Sequence, residues 1–105
     1  MKRRTASSNV KVPIVMTAEI PASADMYDAI NTEMGVTSGN LPRGLISHYA
    51  APTDNGMLIF DVWESKEDFE EFAAGQLGPA MEKVTGGGGE GIKPTVGELY
   101  NELHR

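Results

Sequence analysis

The sequence predicts an α+β fold, a four-stranded antiparallel sheet covered on one face by two helices. Three observations predict it. Segments rich in β-branched residues and segments with apolar residues at helical spacing follow one another in the order β-α-β-β-α-β. The two middle strands are joined by Asn55-Gly56, the favoured pair for a tight hairpin. Right-handed crossovers in that order place both helices on the same side of the sheet. This is the ferredoxin-like sandwich. A chain of 105 residues is enough for one core, and it divides into a flexible tail over residues 1–10 and a single domain over 11–105.

The first strand is "VPIVMTAEI", Val12 to Ile20, with Pro13 at its start, where a missing N–H is tolerated. The first helix follows in "PASADMYDAINTEMG". Ser23 is its N-cap, Asp25 falls in the first turn, Met26, Ile30 and Met34 recur every four residues, and Gly35 is the stop. "VTSGNLPRG" is a loop by composition. The hairpin then runs from Leu45 to Glu64, as "LISHYAA", the turn "PTDNG" and "MLIFDVWE". Ser65 opens the second helix, with Asp68 three residues on in a capping-box pattern. Phe69, Phe72, Ala73, Leu77, Ala80, Met81 and Val84 follow along it at helical spacing, and Gly75, Gly78 and Pro79 predict a kink or break near 75–78. "TGGGGEGIK" is a connection whose Gly86–Gly89 run is either a slack linker or a lid. It lacks the strand-before, helix-after context of a phosphate-binding loop. "PTVGELYNEL" is the fourth strand.

Composition excludes several classes of function. The net charge is −6 and, apart from the short basic run "KRR" at the N-terminus, there is no basic stripe, so no nucleic-acid partner is expected. Without cysteine there is no disulfide, no thiolate chemistry and no Cys-based metal site, which fits a cytoplasmic protein. No apolar run approaches the roughly 20 residues that cross a bilayer, and no apolar segment follows the basic start as a secretory signal requires. No membrane partner is expected. No metal site is expected either: His48 and Asp61 lack a third clear ligand, and His104 lies near the C-terminus.

Alternation along the third strand puts Met57, Ile59, Asp61 and Trp63 on one side and Leu58, Phe60 and Val62 on the other. Both sides carry large apolar groups, and two helices cover only one. The open side predicts a homodimer packed sheet on sheet through Leu58, Phe60 and Val62. On the helix side, a two-residue turn at Asn55-Gly56 sets His48 opposite Trp63 and Ala50 opposite Asp61. A four-residue loop keeps that parity, and a three-residue loop turns His48 away.

Asp61, among apolar neighbours, requires a hydrogen-bond partner or a wet cavity. His48 is one candidate partner, and an Asp–His pair can act as a base near neutral pH. Trp63, the only tryptophan, offers a flat face and an N–H to an aromatic ligand. The alternative is structural: local backbone or helix-end donors satisfy the carboxylate, His48 is partly solvated, and Trp63 fills core.

The stretch "DVWESKEDFEEFAAGQLGPAMEKV", Asp61 to Val84, resembles the antibiotic biosynthesis monooxygenase-like superfamily of dimeric α+β barrels, with "VWES" closing a strand and Phe at this spacing in the helix after it. "GLISHYAAPTDNG" and "VGELYNEL" are compatible, so the likeness spans Val12 to Leu103. It implies a homodimer with a pocket between each sheet and its helices. Catalytic His48 and Asp61 would face a small apolar or aromatic ligand there, contacted by Trp63, Ile59, Phe69, Phe72 and Met81. Members of the superfamily include cofactor-free oxygenases of aromatic polyketides, haem degraders and enzymes of small lactones or aldehydes. Met81 stands where haem degraders carry a proximal His, and Phe69 and Ile59 stand where quinone-forming members tend to carry Tyr and Asn. The Met81 departure argues against haem ligation, and the Phe69 and Ile59 departures favour a non-catalytic dimer of the same fold that binds ligands or proteins. The resemblance itself implies a cofactor-independent monooxygenase of a small aromatic or polyketide-like substrate, using no cofactor.

Overall fold

The computed structural model describes residues 11–87 and 92–105. The tail expected over residues 1–10 lies outside them, as do Gly88 and Gly89 of the segment read as lid or linker. Strand β1 (Ile14–Ile20), helix α1 (Ala24–Met34), strands β2 (Leu45–Thr53) and β3 (Gly56–Trp63), helices α2 (Lys66–Phe72) and α3 (Gly78–Thr85) and strand β4 (Thr95–Glu98) follow in that order. The sheet runs β2-β3-β1-β4 with β3 antiparallel to β1 and β2, and β4 antiparallel to β1. The ferredoxin-like α+β fold is the one expected.

The helix ends follow the sequence signals. Ser23 accepts the Met26 N–H with its hydroxyl, and Gly35 closes α1 in the left-handed region at φ 72°. Ser65 accepts the Asp68 N–H at 3.1 Å. The Asp68 carboxylate turns instead to Lys11 Nζ at 3.0 Å, tying the start of α2 to the residues before β1. The break expected near 75–78 is a π-helical turn, Ala73–Leu77, in which the Gly78 N–H reaches back five residues to the Ala73 carbonyl. Pro79 follows at the start of α3, where its ring and missing N–H would strain an uninterrupted α-helix.

Two features differ from the sequence reading. The hairpin turns on Asp54-Asn55, not Asn55-Gly56, so Thr53 pairs with Gly56. Neither turn residue has positive φ, whereas an Asn-Gly type I′ turn needs it at both positions. Gly56 is instead the first strand residue, at φ 146°, and a Cβ there would collide with the Ile20 carbonyl oxygen. Its glycine answers a close approach of β1 to β3, not the turn. The register moves by two: His48 lies opposite Asp61, Ala50 opposite Ile59, and Trp63 opposite Leu45, with Ile46 as the extra residue of a bulge. The fourth strand is also shorter than expected. It ends at Glu98, and Tyr100 and Leu103 stand exposed beyond it.

The helix-facing side of the sheet forms the core. Ile14, Met16, Ala18 and Ile20 of β1 and Met57, Ile59 and Trp63 of β3 are buried against Phe69, and Ile30, Ala80 and Met81 form a second cluster between the helices. The opposite side is open, with Tyr49 62%, Leu58 45% and Phe60 40% exposed.

Candidate functional site

Between the sheet and the helices lies a cavity of about 240 Å³, lined chiefly by apolar side chains. Strand β3 contributes Ile59, Asp61 and Trp63, which share a face by alternation, and β2 contributes His48 through the register that pairs it with Asp61. Phe69, Phe72 and Met81 line the helical side, with Ala73 and Leu77 of the π-helical turn. All seven residues singled out in the sequence thus surround one space.

Asp61 is buried and both its carboxylate oxygens are engaged. Oδ1 lies 2.6 Å from His48 Nδ1, and Oδ2 accepts the Trp63 indole N–H at 3.1 Å. The spacing of Asp61 and Trp63 two residues apart places carboxylate and indole side by side on one face, so the apolar strand carries its own donor for its buried acid. Two hydrogen bonds to a charged acceptor offset the desolvation that burial imposes. Among the described residues no buried polar side-chain atom lacks a partner.

The network extends to a residue the sequence reading passed over. Tyr27 Oη lies 2.5 Å from His48 Nε2, and the two rings are parallel within 1°. Because Asp61 is an acceptor only, the imidazole proton belongs on Nδ1. Nε2 is then an acceptor and the Tyr27 hydroxyl its donor. A continuous chain Tyr27–His48–Asp61–Trp63 results. Tyr27 adjoins Met26 and stands three residues before Ile30, at the margin of the apolar stripe of α1, and that spacing was the available signal. Asn31, one turn further on, is the other polar side chain on the helical wall.

Trp63 differs from its expected role in one respect. Its N–H is committed to Asp61, and its ring packs on Phe72 and Phe69 at centroid distances of 5.2 and 5.8 Å, with no exposure to solvent. It forms the inner wall. The side chain of His48 retains 30% exposure and sits at the mouth.

Among the described residues no group of three His, Cys, Asp or Glu side chains is placed to hold a metal ion, and no helix is long and apolar enough to cross a membrane.

No family model matches the chain, and no characterised protein matches it in sequence. Solved structures do match it in fold. An antibiotic biosynthesis monooxygenase-type protein of Chloroflexus aurantiacus superposes with a TM-score of 0.61 at 14% identity, over 88% of this chain and 97% of that one. Rv0793 of Mycobacterium tuberculosis does so with a TM-score of 0.57 at 18% identity, over 88% and 99%. A monooxygenase from the gene ActVA-Orf6 of Streptomyces coelicolor, solved with the ligand nanaomycin D, gives 0.52 at 14% identity, over 94% and 96%. The chain shares the fold of the antibiotic biosynthesis monooxygenase-type proteins, in agreement with the sequence resemblance.

Proposed function

We propose that this protein binds a small aromatic or polyketide-like molecule in the cavity between sheet and helices and oxidises it as a cofactor-independent monooxygenase. The observation that carries the proposal is the hydrogen-bonded chain Tyr27–His48–Asp61–Trp63 set into an otherwise apolar wall. A packed core has no need of such a chain, whereas a ligand site combines an apolar lining with a few convergent polar groups.

Size narrows the ligand. An engineered apolar cavity of about 150 Å³ accepts benzene, and this one is about 240 Å³. One or two fused rings fit without rearrangement. The His48–Asp61 pair is the final acceptor of a proton from a phenolic or enolic hydroxyl of the ligand. The resulting anion is electron-rich and combines with dioxygen at carbon, and loss of water leaves a carbonyl. A CH₂ group and O₂ thereby become C=O and H₂O, and the substrate supplies all the electrons. Nanaomycin D bound to the Streptomyces coelicolor monooxygenase of the same fold is consistent with an aromatic ligand.

We further infer a homodimer closed through the open side of the sheet, where Tyr49 and Phe60 pack together at a centroid distance of 6.1 Å and Leu58 lies beside them. Apolar area of this kind, at roughly 25 cal/mol per Å² removed from water, favours association.

Oxygen consumption with one- and two-ring phenols tests the reading. The wild type consumes oxygen in proportion to product, and His48→Ala abolishes consumption while the fold and mass are kept. Unchanged consumption in that variant removes His48 from the chemistry. A second reading, a binding protein without catalysis, is favoured by Phe69 and Ile59, apolar where quinone-forming members tend to carry Tyr and Asn. Quenching of Trp63 without oxygen uptake supports it.

A further inference from the structure

We propose that Tyr27, not His48, is the side chain that meets the ligand, and that it passes the ligand's proton to His48; the ligand is then an O–H acid, a phenol or an enol. The inference rests on the ligand-binding reading above and adds the route of the proton.

Hydrogen-bond capacity and access single out Tyr27. Both oxygens of Asp61 are taken, one by His48 Nδ1 at 2.6 Å and one by the Trp63 N–H at 3.1 Å. Both nitrogens of His48 are taken as well, Nδ1 by Asp61 and Nε2 by Tyr27 Oη at 2.5 Å. A neutral imidazole has one N–H and one lone pair, so His48 has nothing left to offer a ligand. The Tyr27 hydroxyl spends its proton on Nε2 and keeps its oxygen as an acceptor. The Asp61 carboxylate keeps further lone pairs but is only 3% exposed, whereas Tyr27 is half-buried and lines the cavity with its spare acceptor.

Orientation agrees with capacity. The Nε2 lone pair lies in the plane of the imidazole, and the Tyr27 ring is parallel to that plane within 1° at a centroid separation of 6.0 Å. Rings that stack face to face would be closer. At this separation, with the oxygen 2.5 Å from Nε2, the hydroxyl of Tyr27 meets the nitrogen edge of the imidazole, within reach for proton transfer.

The step balances. A ligand O–H donates to Tyr27 Oη; as its proton moves to Oη, the proton of Tyr27 moves to Nε2. One O–H bond is broken and one formed at the tyrosine, one O–H is lost from the ligand and one N–H gained by His48. The ligand leaves with one negative charge and His48 becomes an imidazolium beside the Asp61 carboxylate, which accepts its other N–H. Tyr27 ends as it began. A ligand that is only a hydrogen-bond acceptor finds no donor in this chain, and the site selects against it.

4-Nitrophenol tests the relay, because its phenolate absorbs in the visible and reports ionisation of the bound molecule independently of turnover. The wild type holds it as phenolate at pH values where the free phenol is largely neutral. Tyr27→Phe keeps the ring that walls the cavity, so it binds the phenol but holds it neutral, with the bound phenolate fraction lowered at least tenfold. His48→Ala gives the same loss. Retained or increased phenolate in Tyr27→Phe overturns the relay, since His48 then takes the proton directly. Binding of neutral phenol by the wild type also overturns it while leaving the binding reading intact. Failure of the wild type to bind any phenol removes the binding reading, and the relay with it.

Discussion

Replacing Asp61 with Asn separates the structural duty of this residue from its chemical one. The carboxylate accepts two hydrogen bonds, from His48 at 2.6 Å and from Trp63 at 3.1 Å. An Asn side chain has one acceptor and one donor group. The Trp63 N–H has no access to solvent and is a donor only, so it takes the amide oxygen. The amide NH₂ is left facing His48 Nδ1, which must give up its proton to accept. The imidazole proton then moves to Nε2, which donates to Tyr27 Oη, and the polarity of the whole chain is inverted. Bonds to a charged group contribute about 1.5–3 kcal/mol and neutral ones about 0.5–1.5, so two weakened bonds cost about 2 kcal/mol. Relief of the buried charge returns part of this, leaving a net loss of about 1 kcal/mol and a fall in Tm of about 4–8 °C. The effect on proton abstraction is far larger. Holding a catalytic imidazole in the wrong tautomer in this way costs Ser-His-Asp hydrolases about 10⁴ in rate. Thermal denaturation followed by circular dichroism gives the first quantity. Imidazole ¹⁵N chemical shifts give the tautomer, and oxygen uptake or bound-phenolate absorbance gives the chemistry. A stable Asp61→Asn variant that retains proton abstraction, or whose His48 still carries its proton on Nδ1, refutes the reasoning.

Other outcomes follow from the same geometry. Phe60→Asp places a charge on the open face of the sheet and converts a particle of twice 11.3 kDa to one of 11.3 kDa by light scattering; a wild type that already scatters as a single copy contradicts the dimer. The hydrogen bond from Lys11 holds the Asp68 carboxyl below its ordinary value, against burial, which acts to raise it. A lowered carboxyl contributes stability above its unfolded value, about 3.9, and loses it as pH falls through the folded value. Lys11→Ala therefore moves the midpoint of acid unfolding upward while leaving neutral-pH oxygen uptake unchanged. Gly56→Ala drives a Cβ into the Ile20 carbonyl at a backbone angle that L residues avoid, and lowers stability by at least about 2 kcal/mol in urea denaturation.

What could be read from the sequence was local. Ser23, Gly35 and Ser65 mark their helix ends because each cap is satisfied within three or four residues. The shared face of Asp61 and Trp63 follows from alternation alone. The hairpin register was not legible, because Gly56 serves the close approach of Ile20, 36 positions earlier in the chain, and only the folded sheet brings the two together. Parity survived the error, since a shift by two returns every side chain to its own face. Tyr27 was not legible for a related reason. A half-buried aromatic beside an apolar stripe looks like packing until β2 brings the His48 imidazole to its hydroxyl. The π-helical turn lies between the two: Gly75, Gly78 and Pro79 announce a disturbance, and whether the helix ends or widens depends on what packs beneath it.

The most direct measurement uses the lone tryptophan. Its indole N–H gives a single resonance in a ¹⁵N–¹H correlation spectrum, from a ring that walls the cavity and is bonded to Asp61. Titration with a two-ring phenol such as 1-naphthol shifts that resonance saturably, and Tyr27→Phe weakens the shift without abolishing it. An indole resonance that stays fixed as phenols are added to saturation contradicts the account, because a ligand seated in this cavity cannot leave its inner wall undisturbed.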